Sequence, residues 1–173
     1  MSFLQAVLER NATFAAVRHW KLARRPSNNA VVVTCVDCRV DPAHFLGVQL
    51  GETFVVRTVG GRVSPAVEQQ LAMIVAMLRA NGDTAPIEVL LVHHDDCGFQ
   101  RMADPANRAA MSAASGVEDE VIAKLAIHDH EQSLRDDLAV LKASTMVPDG
   151  LVVAGLRYDP ETGVVATHFV DVS

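Results

Sequence analysis

The sequence predicts an α/β fold in which a mainly parallel central sheet is flanked by helices and carries an antiparallel strand at one edge. Three runs of β-branched and other apolar residues, at 30–33, 87–92 and 151–153, are typical of strands covered on both faces. Patterns of helical periodicity separate these runs, and strands that alternate with helices usually pair in parallel. A turn-forming segment at 159–163 precedes the last apolar run and predicts an antiparallel return.

The first element is a helix, predicted over residues 3–21. Its apolar side chains recur at helical spacing until the sequence Pro26-Ser27-Asn28-Asn29 stops the pattern. The apolar positions are Phe3, Leu4, Val7, Leu8, Phe14, Val17 and Trp20. The following run at 30–33 is a predicted buried strand that ends close to Cys35.

A strand at 54–56 leads into a second helix. Ser64 is placed as its N-cap and Pro65 as its first helical residue, while Asn81-Gly82 ends it. One face of this helix is apolar and comprises Val67, Leu71, Ile74, Val75 and Leu78. The spacing therefore predicts a helix packed against the sheet.

The run at 87–92 is the next buried strand, and it brings His94 and Cys97 just beyond its end. Cys35 follows the first strand in the same way. Ligands of open α/β sheets gather at the carboxyl ends of the strands. We therefore expect these three side chains to share one edge of the sheet.

The segment 104–146 is predicted to be helical, with an apolar stripe in its second half. The stripe comprises Leu134, Leu138 and Leu141. A buried strand at 151–153 follows, and residues 167–172 are predicted to pair back as the antiparallel edge.

Length and charge exclude several classes of protein. The 173 residues suit a single domain, 1–173, that buries about two-thirds of its unfolded surface. With 15 Lys+Arg against 21 Asp+Glu, the net charge of -6 argues against binding nucleic acid. No apolar run is long enough to span a membrane and no signal peptide is visible, so the sequence predicts a cytoplasmic protein.

Three cysteines cannot all pair with one another, which directs attention to metal binding or thiol chemistry. Cys35 and Asp37 are two residues apart in extended chain, so their side chains point the same way. In a turn, His94 and Cys97 can converge on one ion. Two thiolates and one imidazole make a zinc site with one open position, where a bound water becomes hydroxide near neutral pH.

Arg39 can hold the carboxylate of Asp37 by a bidentate pair and keep it off the metal. Asp37 is then free to accept a proton from the water. If the pair breaks, Asp37 itself becomes a fourth ligand and closes the site. The sequence does not decide between these open and closed states.

The same residues allow other interpretations. Cys38 completes a Cys-x-x-Cys pair, which is compatible with redox chemistry or with a closed structural zinc site that adds Cys38 to the other three ligands. His93 is predicted to point to the opposite strand face, as a packed core histidine. His128 and His130 lie among charged residues and are predicted to be solvated.

The motifs Cys35-Val36-Asp37-Cys38-Arg39 and His94-Asp95-Asp96-Cys97-Gly98 resemble the signature of the β-class carbonic anhydrases. The resemblance extends through the segment 51–57 and the glycines at 60 and 61, and so covers at least residues 30–100. The length is similar to that of the small bacterial members. This family resemblance supports the metal site that the residue types and their spacing predict.

The resemblance implies a catalytic zinc ion bound by Cys35, His94 and Cys97, with Asp37 and Arg39 as the catalytic dyad. It implies a carbonate dehydratase, a lyase that reversibly hydrates carbon dioxide to bicarbonate by zinc-bound hydroxide. It also implies a homodimer or higher homo-oligomer in which residues 1–24 form a helical arm around the neighbour.

Related enzymes hydrolyse carbonyl sulfide or carbon disulfide with the same metal site, so these gases are alternative substrates. A zinc-stabilised binding protein without catalysis is an alternative of another class. The pair Asp95-Asp96 is a departure from the family pattern, and its negative charge is expected to disfavour bicarbonate nearby.

Overall fold

The computed structural model describes residues 2–18, 21–80 and 82–172. A five-stranded sheet has the strand order β2-β1-β3-β4-β5. The strands are β1 Ala30–Cys35, β2 Phe54–Thr58, β3 Ile87–His94, β4 Leu151–Tyr158 and β5 Val165–Asp171. The helices are α1 Phe3–Val17, α2 Pro42–Phe45, α3 Pro65–Arg79, α4 Pro105–Ser115, α5 Asp119–Leu125 and α6 His130–Ala143.

The first four strands pair in parallel and β5 pairs antiparallel with β4. This confirms the predicted fold class. One face of the sheet carries the larger core, where alternate residues such as Val31 and Val33 of β1 pack with side chains of α3 and α6. The alternation follows from the pleat, which turns successive side chains to opposite faces.

The first helix is shorter than predicted. It begins with a capping box between Ser2 and Gln5 and ends at Val17, whereas the prediction ran to residue 21. None of the residues of α1 is buried against the rest of the chain. The predicted arm residues His19 and Trp20 lie outside the described residues.

The segment 104–146 was predicted as one helical region, and the structure divides it into α4, α5 and α6. Gly116, with a φ of 73°, caps α4 in the left-handed conformation that glycine adopts without strain. Asp129 caps α6, because its side chain accepts a hydrogen bond from the backbone N–H of Gln132. These local stops divide the helical pattern.

The edge strand β5 starts two residues earlier than predicted, at Val165, and its pairing with β4 is irregular between Gly155 and Leu156. The other face of the sheet carries a smaller core around Val32, Val92 and Tyr158. Within the described residues, no helix is long and apolar enough to cross a membrane.

Candidate metal centre

Two neighbouring parallel strands end at the centre of the sheet with potential metal ligands. Cys35 is the last residue of β1 and His94 is the last residue of β3. Because β1 and β3 pair in parallel, their carboxyl ends lie at the same edge. We call residues 35–39 the first ligand loop and residues 94–97 the second ligand loop, and Cys97 completes the cluster.

The structure brings Cys35, His94 and Cys97 together as predicted. One ligand atom from each lies within 4.8 Å of the others, and all three residues are buried. The two sulfur atoms are 3.9 Å apart. Phe99 and Ile127 pack against the cysteines and make the surroundings apolar.

The imidazole of His94 is oriented for ligation through Nε2. Its Nδ1 lies 2.9 Å from the main-chain oxygen of Asp95, so Nδ1 carries the proton and donates it to that oxygen. Nε2 is buried and has no hydrogen-bond partner among the described residues. A buried nitrogen with a free lone pair beside two sulfurs is what a zinc ion binds.

The two cysteines differ in their affinity for a proton. A hydrogen bond from Cys97 stabilises the Cys35 thiolate, and the nearby imidazole of His94 and the N–H of Asp37 assist, so the pKa of Cys35 falls to about 4. The pKa of Cys97 rises because it donates to Cys35 and is buried. The sulfurs therefore share one proton, which a divalent cation would replace.

The pKa of His94 responds to two opposing effects. Burial lowers it, but the adjacent Cys35 thiolate favours the charged imidazole and outweighs burial, so the pKa is raised. Acid therefore favours protonated ligands, and metal binding at this cluster is expected to weaken as pH falls.

Asp37 is held by Arg39 as the sequence predicted. The Nε of Arg39 donates to Oδ1 at 3.0 Å and Nη2 donates to Oδ2 at 2.8 Å, which makes a bidentate pair. These bonds hold the pKa of Asp37 well below its usual range. Among the described residues, the metal-ligand cluster comprises three residues and does not include Asp37. The Asp37 carboxylate is thus paired with Arg39, which is the arrangement expected of an open site.

The two acidic residues between His94 and Cys97 both make ion pairs with arginines. Asp95 accepts from Nε and Nη2 of Arg157 at 2.6 and 2.9 Å. Asp96 accepts from Nη1 of Arg39 at 2.7 Å. Arg157 therefore balances the charge of Asp95, whereas Asp96 shares Arg39 with Asp37, so one negative charge remains and its effect on bicarbonate stays a prediction.

Arg57, at the end of β2, is a positioning residue that the sequence analysis did not single out. Its Nε donates to the main-chain oxygen of Cys35 at 3.0 Å, and its Nη2 donates to that of Asp37 at 2.6 Å. Arg57 therefore fixes the backbone of the first ligand loop from the neighbouring strand. Its place in the segment 51–57, which carries part of the family resemblance, and its position in the strand beside β1 are signals that could have indicated it.

The loop after β2 closes on the same edge of the sheet. Gly61 has a φ of 72°, and a Cβ there would lie 2.9 Å from the oxygen of Val92 and 3.3 Å from the nitrogen of Cys35. Glycine is required on both counts, conformation and space. The loop thereby packs directly on the backbone of a ligand residue.

Behind the cluster lies a buried polar group. Asp137 of α6 accepts from Nε of Arg62 and from the N–H of Val63, and it lies 3.3 Å from Nε2 of His93. His93 is fully buried, which confirms it as a core histidine. The group connects α6 to the glycine loop and to the residue next to His94.

His130 was predicted to be solvated, and that prediction was wrong. It is only 7% exposed, because it opens α6 where this helix packs near β3. Its ring lies edge-on to that of His93 at 5.8 Å, and Nε2 is 3.4 Å from Oδ1 of Asp95. Burial lowers the pKa of His130 to about 4. His128 is exposed, as predicted.

Cys38 is exposed and stands apart from the ligand cluster. The alternative of a closed site formed by all three cysteines and His94 is therefore wrong. The exposed position follows from the pleat and the turn, since Cys35 points inward at the end of β1 and Cys38 lies in the turn beyond it.

A family model described as carbonic anhydrase matches residues 30–165. The "Beta-carbonic anhydrase 1" of Mycobacterium tuberculosis is 26% identical over 163 residues, which cover 94% of this chain and 96% of that protein. The "Putative carbonic anhydrase YtiB" of Bacillus subtilis is also 26% identical, over 94% of both chains. A crystal structure of carbonic anhydrase from Streptococcus mutans is 28% identical, with a TM-score of 0.82 over 98% of this chain and 99% of that chain.

Proposed function

This chain belongs to the β-class carbonic anhydrase family of lyases, and on that premise we propose that it reversibly hydrates carbon dioxide to bicarbonate. The observation that carries the proposal is the buried cluster of two sulfurs and one imidazole, in which Nε2 of His94 has no hydrogen-bond partner among the described residues. The Asp37–Arg39 pair stands beside this cluster.

We propose that Cys35, His94 and Cys97 bind zinc. The donor set of two thiolates and one imidazole is one that zinc prefers, and it leaves a fourth position open. When bound, the zinc ion would lower the pKa of water toward about 7 and so supply hydroxide at neutral pH. The bond from His94 to the oxygen of Asp95 keeps the ring in the tautomer that this ligation needs.

Asp37 acts in this proposal as the acceptor of the nucleophile's proton. Arg39 holds the carboxylate in place, and the low pKa keeps it ionised throughout the neutral range. A base of low pKa retains a proton only briefly, so Asp37 orients the nucleophile and passes the proton to solvent buffer. Removal of Arg39 would free the carboxylate to become a ligand.

The surroundings suit a small apolar gas. Phe99 and Ile127 pack against Cys35 and Cys97, so the walls near the cluster carry few groups that hold water. We further propose that the protein acts as a homodimer or higher homo-oligomer. The exposed apolar side chains of α1, such as Phe3 and Leu8, support this, because a surface helix normally buries its apolar face.

Stopped-flow hydration of carbon dioxide, with zinc quantified per chain, tests the proposal on the wild type, Cys97→Ser and Cys38→Ser. We expect about one zinc per chain and fast hydration for the wild type and for Cys38→Ser, and loss of both for Cys97→Ser. Cys38→Ser is the matched control, since it changes an exposed cysteine outside the cluster.

Two results would overturn the proposal. Zinc bound without hydration at any pH from 6 to 9 would indicate a zinc-stabilised protein without this activity. Hydrolysis of carbonyl sulfide or carbon disulfide, with no hydration of carbon dioxide, would keep the centre and change the substrate.

A further inference from the structure

Arg39 connects the two ligand loops. On one side its guanidinium holds both carboxylate oxygens of Asp37. On the other side Nη1 donates to Oδ2 of Asp96 at 2.7 Å, and Nη2 donates to the main-chain oxygen of Asp96 at 2.9 Å. One side chain thus joins the loop of Cys35 to the loop of Cys97.

The Asp37–Arg39 pair alone cannot fix the carboxylate relative to the second ligand loop. Its partners are two residues apart in the same loop, so they can shift together without breaking their own bonds. The bonds to Asp96 span 57 residues of sequence and reach across to the other strand end. Arg57 fixes the main chain of the first ligand loop, and the bonds to Asp96 tie the side chains of the pair to the second ligand loop.

The backbone of Asp96 indicates that these bonds matter. Its φ of 52° lies in the left-handed region, and among the described residues it is the non-glycine residue with a positive φ. Such a conformation is uncommon outside glycine and is retained where surrounding contacts fix it. The side chain is 87% exposed, so burial does not hold Asp96 in place. Its two contacts to Arg39 hold it, together with the bonds that Asp95 makes to Tyr158 and Arg157 in the same turn.

We propose that Asp96 is a positioning residue, which anchors the Asp37–Arg39 pair to the second ligand loop and keeps the Asp37 carboxylate off the open metal position. The inference rests on the proposed function for its catalytic consequence. Its structural part, the placement of the carboxylate beside the bound metal, can be measured without catalysis.

Three variants separate this role from a general effect of charge. Asp96→Gly removes the carboxylate and accepts the positive φ freely, so it is expected to fold at least as well as the wild type. Asp96→Asn keeps an acceptor for Arg39 and is the conservative rescue. Glu161→Gln removes the same charge from the same surface depression, which Arg39 and Asp96 also line.

The first readout is the affinity of the cobalt-loaded protein for azide, followed by visible absorption. Azide needs the open metal position, so a carboxylate that reaches this position competes with it. We expect Asp96→Gly to weaken azide binding by about two- to fivefold, the range that a single exposed ion pair supports. Asp96→Asn is expected to lie between Asp96→Gly and wild type, and Glu161→Gln to match wild type.

The second readout is the pH profile of kcat/KM for carbon dioxide hydration by the zinc-loaded protein. We expect the rising limb for Asp96→Gly to move to higher pH, because more hydroxide is needed to displace the carboxylate. Since azide affinity does not depend on turnover, a wild type without hydration would refute the proposed function while the azide series still tests the role of Asp96.

The role of Asp96 is refuted if Asp96→Gly, like Glu161→Gln, keeps the azide affinity and the pH profile of the wild type. Equal losses in Asp96→Gly and Glu161→Gln would refute it as well, because charge near the site would account for the effect. A third result would also refute it: loss of bound metal in Asp96→Gly, with unchanged azide affinity in the fraction that remains loaded, would show that Asp96 supports the metal ligands and does not place the Asp37 carboxylate.

Discussion

Replacement of Gly61 by alanine is expected to damage the protein far more than the same replacement at Gly116. The two glycines have nearly the same φ, 72° and 73°. An alanine at either site therefore carries a similar conformational penalty, about 1–2 kcal/mol. At Gly116 a Cβ would meet nothing within 4 Å, whereas at Gly61 it would lie 2.9 Å from the oxygen of Val92. The difference between the two variants isolates the effect of close packing.

The magnitude follows from what must move. The neighbour at 2.9 Å is a main-chain oxygen of β3, and it already accepts a hydrogen bond from Thr34 at 3.1 Å. Such an atom cannot rotate away, so the loop or the strand must shift. Overpacking of this kind costs about 1–3 kcal/mol, which is the expected difference in the free energy of unfolding between Gly61→Ala and Gly116→Ala.

Urea unfolding of the wild type and both variants measures this difference. The comparison requires the free energy of unfolding to depend on urea concentration with the same slope in all three proteins. Zinc content is the second readout, since the new Cβ at Gly61 would also crowd the nitrogen of Cys35. We expect Gly61→Ala to hold zinc less tightly and Gly116→Ala to hold it normally. Equal losses of stability, or normal zinc binding in Gly61→Ala, would refute the packing argument.

Three further outcomes follow from the buried groups and the metal centre. The pKa of His130 is lowered from 6.5 to about 4. The contribution of the neutral ring to the free energy of unfolding is therefore fully present above pH 6.5 and is lost as pH falls toward 4. The loss amounts to about 3 kcal/mol. In metal-depleted protein, His130→Gln should flatten the slope of stability against pH in that window; an unchanged slope would contradict the burial argument. Asp137→Asn breaks a buried ion pair and should cost about 3–5 kcal/mol in urea unfolding, whereas the exposed neighbour in Asp136→Asn should stay within about 0.5 kcal/mol. Removal of zinc by a chelator should lower the melting temperature of the wild type. Compared with protein in zinc at a thousand times the dissociation constant, the free energy of unfolding should fall by about 4 kcal/mol. The melting temperature of Cys97→Ser should not depend on zinc.

The sheet and the ligand set could be predicted because each is encoded locally. The runs at 30–33 and 87–92 are apolar over consecutive positions, and the ligands follow them within a few residues. Strand type and strand end were enough to place Cys35 and His94 at one edge. The Asp37–Arg39 pair is also local, since its partners are two residues apart.

The contacts that the sequence did not reveal link distant segments. Asp95 and Arg157 are 62 residues apart, and they meet only because β3 and β4 are neighbours in the sheet. His130 lies in a charged stretch that is typical of a solvated helix start. Its burial depends on how α6 lies against β3, which periodicity within α6 does not specify.

The two cysteines of the metal centre are 62 residues apart in sequence, so an ion bound between them acts as a reversible cross-link. Closing a flexible loop of that length costs about 4 kcal/mol of chain entropy. In the folded chain the pairing of β1 with β3 has already brought the ends together. Uptake of the ion during refolding therefore reports when β1 and β3 have paired. A chain that binds its metal early has its two central strands cross-linked before the edge strand β5 pairs with β4.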